Sequence, residues 1–239
     1  MNTNAKNSGL PFVFSNFAMT ADGKIAFASR EFVPFGSARD REHMMELRAT
    51  AEAVMAGART IETPGVTLGP GGKKFQRLRL RRGLREYNLR VIVSGAGSID
   101  PAAEVFKRRF SPVIVLVCET APAGRIRQLR GLADEVGIFG RAEVDFQLAF
   151  RWLNEKWGVK RLLCEGGGGL HEAVIRAGLL DEMHLTICPN IFGGRTAPTL
   201  ADGPGFKKLA TAERLRLVRM RRVGDELFAV FGRRKSSGF

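Results

Sequence analysis

The run Pro112-Val113-Ile114-Val115-Leu116-Val117-Cys118 is the feature that most constrains what this chain can fold into. It is apolar at every position, so a strand built from it hides both faces. A strand with one wet face would alternate apolar and polar residues instead. Burial on both faces calls for helices above and below, which predicts an α/β fold with a mostly parallel sheet. Further strand-like runs lie at Pro11 to Met19, Ala53 to Ala58, Leu89 to Ser94, Val136 to Phe139, Lys160 to Cys164 and Glu182 to Cys188. Helical patterns separate several of them. Ser37 is placed to cap a helix, with Asp40 three residues on as in a capping box, and Met44, Leu47, Ala51 and Val54 continue at helical spacing. Ala123 to Leu132 reads as a helix. Asp145 caps another, with Phe146, Ala149, Phe150, Leu153 and Trp157 on its apolar face and Gly158 at its end. Leu170 to Ala177 is a third, stopped by Gly178. Leu215 to Arg221 and Glu226 to Phe231, separated by Val223-Gly224-Asp225, predict a terminal β-hairpin. The expectation is a three-layer α/β/α sandwich, with a mostly parallel sheet and a C-terminal antiparallel hairpin. Residues 1–10 read as a disordered N-terminal tail and residues 11–235 as a single domain.

At 239 residues, with 44% hydrophobic and 26% charged side chains, the composition is that of a soluble globular protein. No apolar run approaches the roughly 18 residues that a membrane span needs. Met1 to Leu10 lacks the apolar stretch of a secretory signal. A cytoplasmic protein without membrane contact is expected. Cys118, Cys164 and Cys188 are odd in number and far apart, and read as reduced, buried thiols.

The net charge of +14 is clustered. Between residues 73 and 90, Lys73, Lys74, Arg77, Arg79, Arg81, Arg82, Arg85 and Arg90 face the single acid Glu86. A solvated basic loop, a field that draws in phosphorylated ligands, and a nucleic-acid surface all fit this charge. The third fits least, because one tyrosine and two tryptophans give no regular aromatic interleaving for stacking bases.

The most informative local pattern is Cys164-Glu165-Gly166-Gly167-Gly168-Gly169-Leu170-His171. A strand ends, four glycines follow and a helix begins. Glycines there let the main chain approach a ligand and aim N–H groups at it, beside the positive end of a helix dipole. A pyrophosphate suits such a turn; so does no ligand at all, if the turn is merely flexible. The pattern is neither G-x-G-x-x-G nor a P-loop. Glu165 at the strand tip can accept hydrogen bonds from a substrate, or be an ordinary solvated glutamate. Asp22, in Ala21-Asp22-Gly23-Lys24, is a turn former by default. His43, His171 and His184 are scattered, there is no Cys-x-x-Cys and no Gly-x-Ser-x-Gly, so neither a metal site nor a hydrolase triad is expected.

Several blocks resemble one family, the pyrimidine reductases of riboflavin biosynthesis, which have a dihydrofolate-reductase-like fold. They are Ser15 to Ala26, Leu47-Arg48-Ala49 with Met55 to Thr60, Glu165 to Gly168, Gly178 to Glu182, and Pro189 to Gly194 followed by Ala197 to Phe206. The last block is similar to the stand-alone form of the reductase. The resemblance implies reduction of the ribosyl side chain of a diaminopyrimidinone 5′-phosphate to ribityl, with NADPH or NADH as cofactor, and a homodimer. It also implies that Ala18, Thr60, Ser94, Gly167, Gly168, Gly169 and Leu170 contact the cofactor. Asn16, Arg48 and Glu165 are implied to contact the substrate. Glu165 and Asp22 are the candidate catalytic groups, with a bound water as the alternative proton donor. The surplus of arginines favours NADPH. The zinc deaminase motifs that accompany the reductase in many members are absent, so no deaminase activity is expected.

Two departures bear on the substrate. Where the family has Asp-Asp-Pro, this chain reads Thr60-Ile61-Glu62-Thr63-Pro64-Gly65, with Pro64 at the expected Asp position, and the basic insertion over 69–86 follows at once. Reduction of dihydrofolate or another pterin-like ring on the same fold is therefore the alternative, and nucleic-acid binding without catalysis the second alternative.

Overall fold

The computed structural model describes residues 9–31 and 33–234. The expected N-terminal tail thus lies, for its first eight residues, outside the described residues. The chain divides into two compact units. One comprises Leu47–Leu163 with the described residues up to Phe12; the other comprises Val13–Glu46 and the chain from Cys164 onward.

In the first unit, β2 (Ala53–Gly57), β3 (Leu89–Val93), β4 (Val113–Val117) and β5 (Glu135–Ile138) pair in parallel, each with the next. The strand order is β5-β4-β3-β2-β6, where β6 is Arg161–Cys164. All five residues of β4 are buried, as its unbroken apolar run requires. In helix α6 (Phe146–Trp157), the Asp145 side chain accepts from the N–H groups of Gln147 and Leu148, and Gly158 ends the helix left-handed at φ 68°.

In the second unit the order is β1-β7-β9-β8. Here β1 (Phe12–Thr20) runs parallel to β7 (Leu180–Cys188), which pairs antiparallel with β9 (Glu226–Arg233). The hairpin closes with β8 (Leu215–Val223), as expected. Helices cover both faces. On one, His171 of α7 (Gly168–Arg176) packs on Phe17; on the other, His43 of α1 (Ala38–Arg48) packs on His184 and Phe228. The fold is α/β, mostly parallel, with antiparallel C-terminal strands. Among the described residues all three cysteines are free and buried, and no helix is long and apolar enough to cross a membrane.

Three local expectations are corrected. The helix beginning after Ser37 stops at Arg48 rather than continuing through Ala51 and Val54, because Ala53 already starts β2. Ser37 Oγ does accept from the Asp40 N–H at 3.2 Å, yet the reciprocal half of the capping box comes from Glu226, which accepts from Ser37 N at 2.7 Å. A carboxylate distant in sequence has replaced the local one. Finally, the basic connection contains a helix, α3 (Lys73–Arg81), and two cations of the 73–90 cluster are not solvated: Arg79 in α3 and Arg90 in β3 are essentially buried. Loss of solvent pushes both guanidiniums down to about 10, still charged at neutral pH.

Candidate active site

The predicted site residues divide between the two units. The second unit holds Asn16, Ala18, Asp22, Glu165 and Gly167 to Leu170. Asn16 and Ala18 are two apart on β1, so their side chains leave the same face. Asn16 is 8% exposed, and among the described residues its buried Oδ1 meets no hydrogen-bond donor. A buried amide oxygen left unpaired is costly, and ordinarily something satisfies it.

The glycine turn begins where β6 ends. Glu165 is half-buried, and Gly167 caps α7 without any side-chain cap. The helix starts at Gly168, two residues earlier than its apolar pattern. Gly168 itself is required by packing. A Cβ there would lie 2.2 Å from the Thr199 carbonyl oxygen and 2.9 Å from Asp202 Oδ2. Packing is thus a role for Gly168 that neither a ligand-binding turn nor a merely flexible one requires. At Gly169 the nearest atom to an added Cβ is 3.4 Å away, so the crowding is far milder.

Asp22 uses both carboxylate oxygens inside the protein. Oδ1 accepts from Thr20 Oγ1 and, at 3.2 Å, from Phe192 N; Oδ2 accepts from Gly193 N at 2.7 Å. The Thr20 hydroxyl, ahead of these N–H groups, holds its carboxyl below the usual range. The same turn reaches a second loop, through Lys24 Nζ to the Ala197 carbonyl and Ile25 N to the Pro198 carbonyl. Loop 197–202 therefore meets both the Asp22 turn and the first turn of α7. Asp202 fixes that loop by accepting from Thr199 Oγ1 at 2.7 Å.

His171 was not singled out by the sequence, where a histidine on a helix reads as surface or half-buried. It is fully buried. Its Nδ1 bonds the Leu200 carbonyl at 2.7 Å, so Nδ1 carries the proton, and Nε2 accepts from Ser15 Oγ at 2.9 Å. Burial pushes this imidazole down to about 4. It joins α7 to β1 and to loop 197–202, in the neutral state.

The first unit holds Arg48, Thr60 and Ser94. Thr60 lies in α2 (Ala58–Ile61), directly after β2, and Ser94 follows β3. Since Gly57 pairs with Val93, both sit beyond the carboxyl ends of adjacent parallel strands, where ligands of such sheets bind. Ser94 Oγ donates to the Ser98 carbonyl at 3.1 Å. Arg48 is 8% exposed and donates from Nη1 to the Gly69 carbonyl at 2.6 Å. Pro64 is exposed, and nearby Glu62 Oε1 accepts from Asp100 N at 3.2 Å. Among the described residues no group of three or more His, Cys, Asp or Glu is placed to hold a metal ion.

The model of the RibD C-terminal domain matches residues 11–229. The chain belongs to the RibD C-terminal domain family. Within that family it is 34% identical, over 223 residues, to a protein of Methanothermobacter thermautotrophicus named 2,5-diamino-6-ribosylamino-4(3H)-pyrimidinone 5′-phosphate reductase. The match covers 92% of this chain and 97% of that relative. The pyrimidine reductase-like protein of Corynebacterium diphtheriae has the same fold, with TM-score 0.76 at 21% identity, over 95% of this chain and 93% of that one. Acinetobacter baumannii RibD matches with TM-score 0.73 at 19% identity over 95% of this chain, which spans only 59% of that protein. Three of the blocks that carried the resemblance are physically joined in the second unit: the Asp22 turn is tied to Phe192-Gly193, and Gly168 is packed against Thr199 and Asp202.

Proposed function

We propose that this chain reduces the ribosyl side chain of 2,5-diamino-6-ribosylamino-4(3H)-pyrimidinone 5′-phosphate to a ribityl chain, as a step of riboflavin biosynthesis. The observation that carries the reading is the 34% identity to the Methanothermobacter reductase, spread over 97% of that enzyme. The cofactor is NADPH, with NADH as the weaker donor. When bound, the reduced nicotinamide supplies the hydride that C1′ of the open-chain ribosylimine accepts. The residues present fit such a group. Gly167 offers α7 no side-chain cap, and the start of a helix suits an acceptor such as a nucleotide phosphate.

In this reading residues 11–235 act as one reductase domain. Ala18, Thr60, Ser94 and Gly167 to Leu170 line the cofactor; Asn16, Arg48 and Glu165 hold the pyrimidine phosphate. Asn16 Oδ1, buried and without a donor, is suited to accept from an amino or ring N–H group of the pyrimidine. Arg48 supplies a guanidinium, suited to phosphate or carbonyl oxygen. Holding two reactants in line is worth about 7–11 kcal/mol of barrier, so these residues act chiefly by orientation. Glu165 and Asp22 are the candidate groups to manage a proton, and Asp22 also holds the 20–24 turn with both its oxygens. The enzyme works in the cytoplasm, as its composition and reduced cysteines suggest, and as a homodimer, as the family resemblance implies.

The test is NADPH oxidation, followed spectrophotometrically with the pyrimidine phosphate and with dihydrofolate. Turnover is expected with the first only. Turnover with dihydrofolate alone would transfer the assignment to the pterin alternative.

A further inference from the structure

Arg79 lies in the inserted basic helix α3, yet it is only 1% exposed. Its guanidinium is surrounded by main-chain carbonyls. Nη1 donates to Arg48 O and to Ala51 O, each at 2.7 Å, and Nε donates to Arg85 O at 2.9 Å. Arg82 adds a bond from Nη1 to Ala49 O at 3.1 Å. Arg48 O closes α1, while Ala49 O and Ala51 O belong to the turn that follows. The final carbonyls of a helix have no intrahelical partners, and cations there complement the negative end of the dipole.

The circuit closes through Arg48 itself. Its Nη1 donates to the carbonyl of Gly69, at the start of the segment that carries Arg79. That carbonyl is fixed in turn. A Cβ on Gly69 would meet the Phe110 ring at 2.8 Å, and the preceding Leu68 is buried in the left-handed conformation at φ 55°. The Leu68 carbonyl accepts from Asn88 Nδ2 at 2.8 Å. Arg79 thus grips the main chain of Arg48, and Arg48 grips the root of the insertion.

We propose that Arg79 is a positioning residue for Arg48: by capping the carbonyl end of α1 from the inserted helix, it fixes the main chain from which the Arg48 guanidinium meets the pyrimidine phosphate. This inference rests on the reading of Arg48 as a substrate contact. A guanidinium is needed because its rigid fork reaches three carbonyls at once, which the point charge of a lysine does not.

The experiment compares wild type, Arg79→Lys, Arg48→Lys and the double variant. Circular dichroism reports folding, and nitrogen-15 NMR follows solvent exchange of the Arg48 guanidinium protons. Steady-state kinetics give KM and kcat for the pyrimidine phosphate, and titration gives NADPH affinity. In Arg79→Lys, exchange at Arg48 and KM for the pyrimidine should each rise about tenfold, with kcat and NADPH affinity held within about twofold. In the Arg48→Lys background the same change should add less than about twofold, since residues acting through one contact are not additive. Should Arg79→Lys not fold, Gly69→Ala displaces the carbonyl that Arg48 grips without touching the cation, and the same shifts are expected. Wild-type exchange and KM in the folded variant would overturn the proposal, as would effects that multiply in full. If wild type does not reduce the pyrimidine at all, the functional reading fails, and exchange at Arg48 decides the positioning by itself.

Discussion

The glycine turn leading into α7 and the basic segment carrying α3 each serve the end of a helix, in opposite ways. At the start of α7 there is no capping side chain, and the Asp202 carboxylate lies against Gly168. At the end of α1, Arg79 and Arg82 take up main-chain carbonyls. Each charge has the sign that the helix dipole favours. One end has no side-chain cap. The other is closed by the buried guanidinium of Arg79, with the exposed Arg82 beside it, and suits a fixed support. The difference shows that four glycines and eight cations are each of mixed purpose: one glycine is a packing residue, and two of the cations are interior.

The sharpest way to break this comparison is to substitute within each segment. Arg79→Met leaves three carbonyls facing an apolar side chain and should cost about 4 kcal/mol, given ~1–3 kcal/mol for each buried polar group left unsatisfied. Arg81→Ala, on the exposed side of the same helix, should leave the denaturation midpoint unchanged. Equal effects would remove the distinction between interior and surface cations. Next, Gly168→Ala should destabilise by about 3 kcal/mol, because its Cβ would overlap main chain rather than a movable side chain. Gly169→Ala should change stability little, so any loss of NADPH affinity there reports on the ligand. Chemical denaturation of both variants, with and without NADPH, separates the two.

A pH series sharpens the glycine-turn side. His171 has its folded pKa lowered to about 4, so its contribution is fully present above the unfolded value of 6.5. Between those values the unfolded chain binds the proton and the folded one does not, so stability falls as pH drops from 6.5 towards 4, by up to about 3 kcal/mol. His43, also lowered to about 4 by burial, adds a slope of the same sign. His171→Asn should remove part of the slope; an unchanged slope would assign it wholly to other groups. The smallest expected effect is on Pro64→Asp. Pro64 is exposed, so stability should hold, and only cofactor affinity is read.

Much of the architecture was legible in the chain because its signals are local. The β4 run, the Asp145 and Gly158 caps and the terminal hairpin each follow from a few neighbouring residues. The glycine turn was legible as a strand-to-helix corner for the same reason. His171 was not, since its partners Ser15 and Leu200 lie 156 and 29 residues away. Glu226 capping Ser37 across 189 residues is a second case.

What the sequence alone determined is the alternation of strand and helix, and the family. Those depend on residue type and spacing, which survive without coordinates. Tertiary structure decided which like residues do unlike work. Arg79 and Arg81 are indistinguishable as letters, and burial separates them. Gly168 and Gly169 are adjacent and identical, and the distance to Thr199 O separates those. Hydrogen-bond partners and excluded volume are properties of neighbours in space, and the folded chain supplies neighbours that no local pattern encodes.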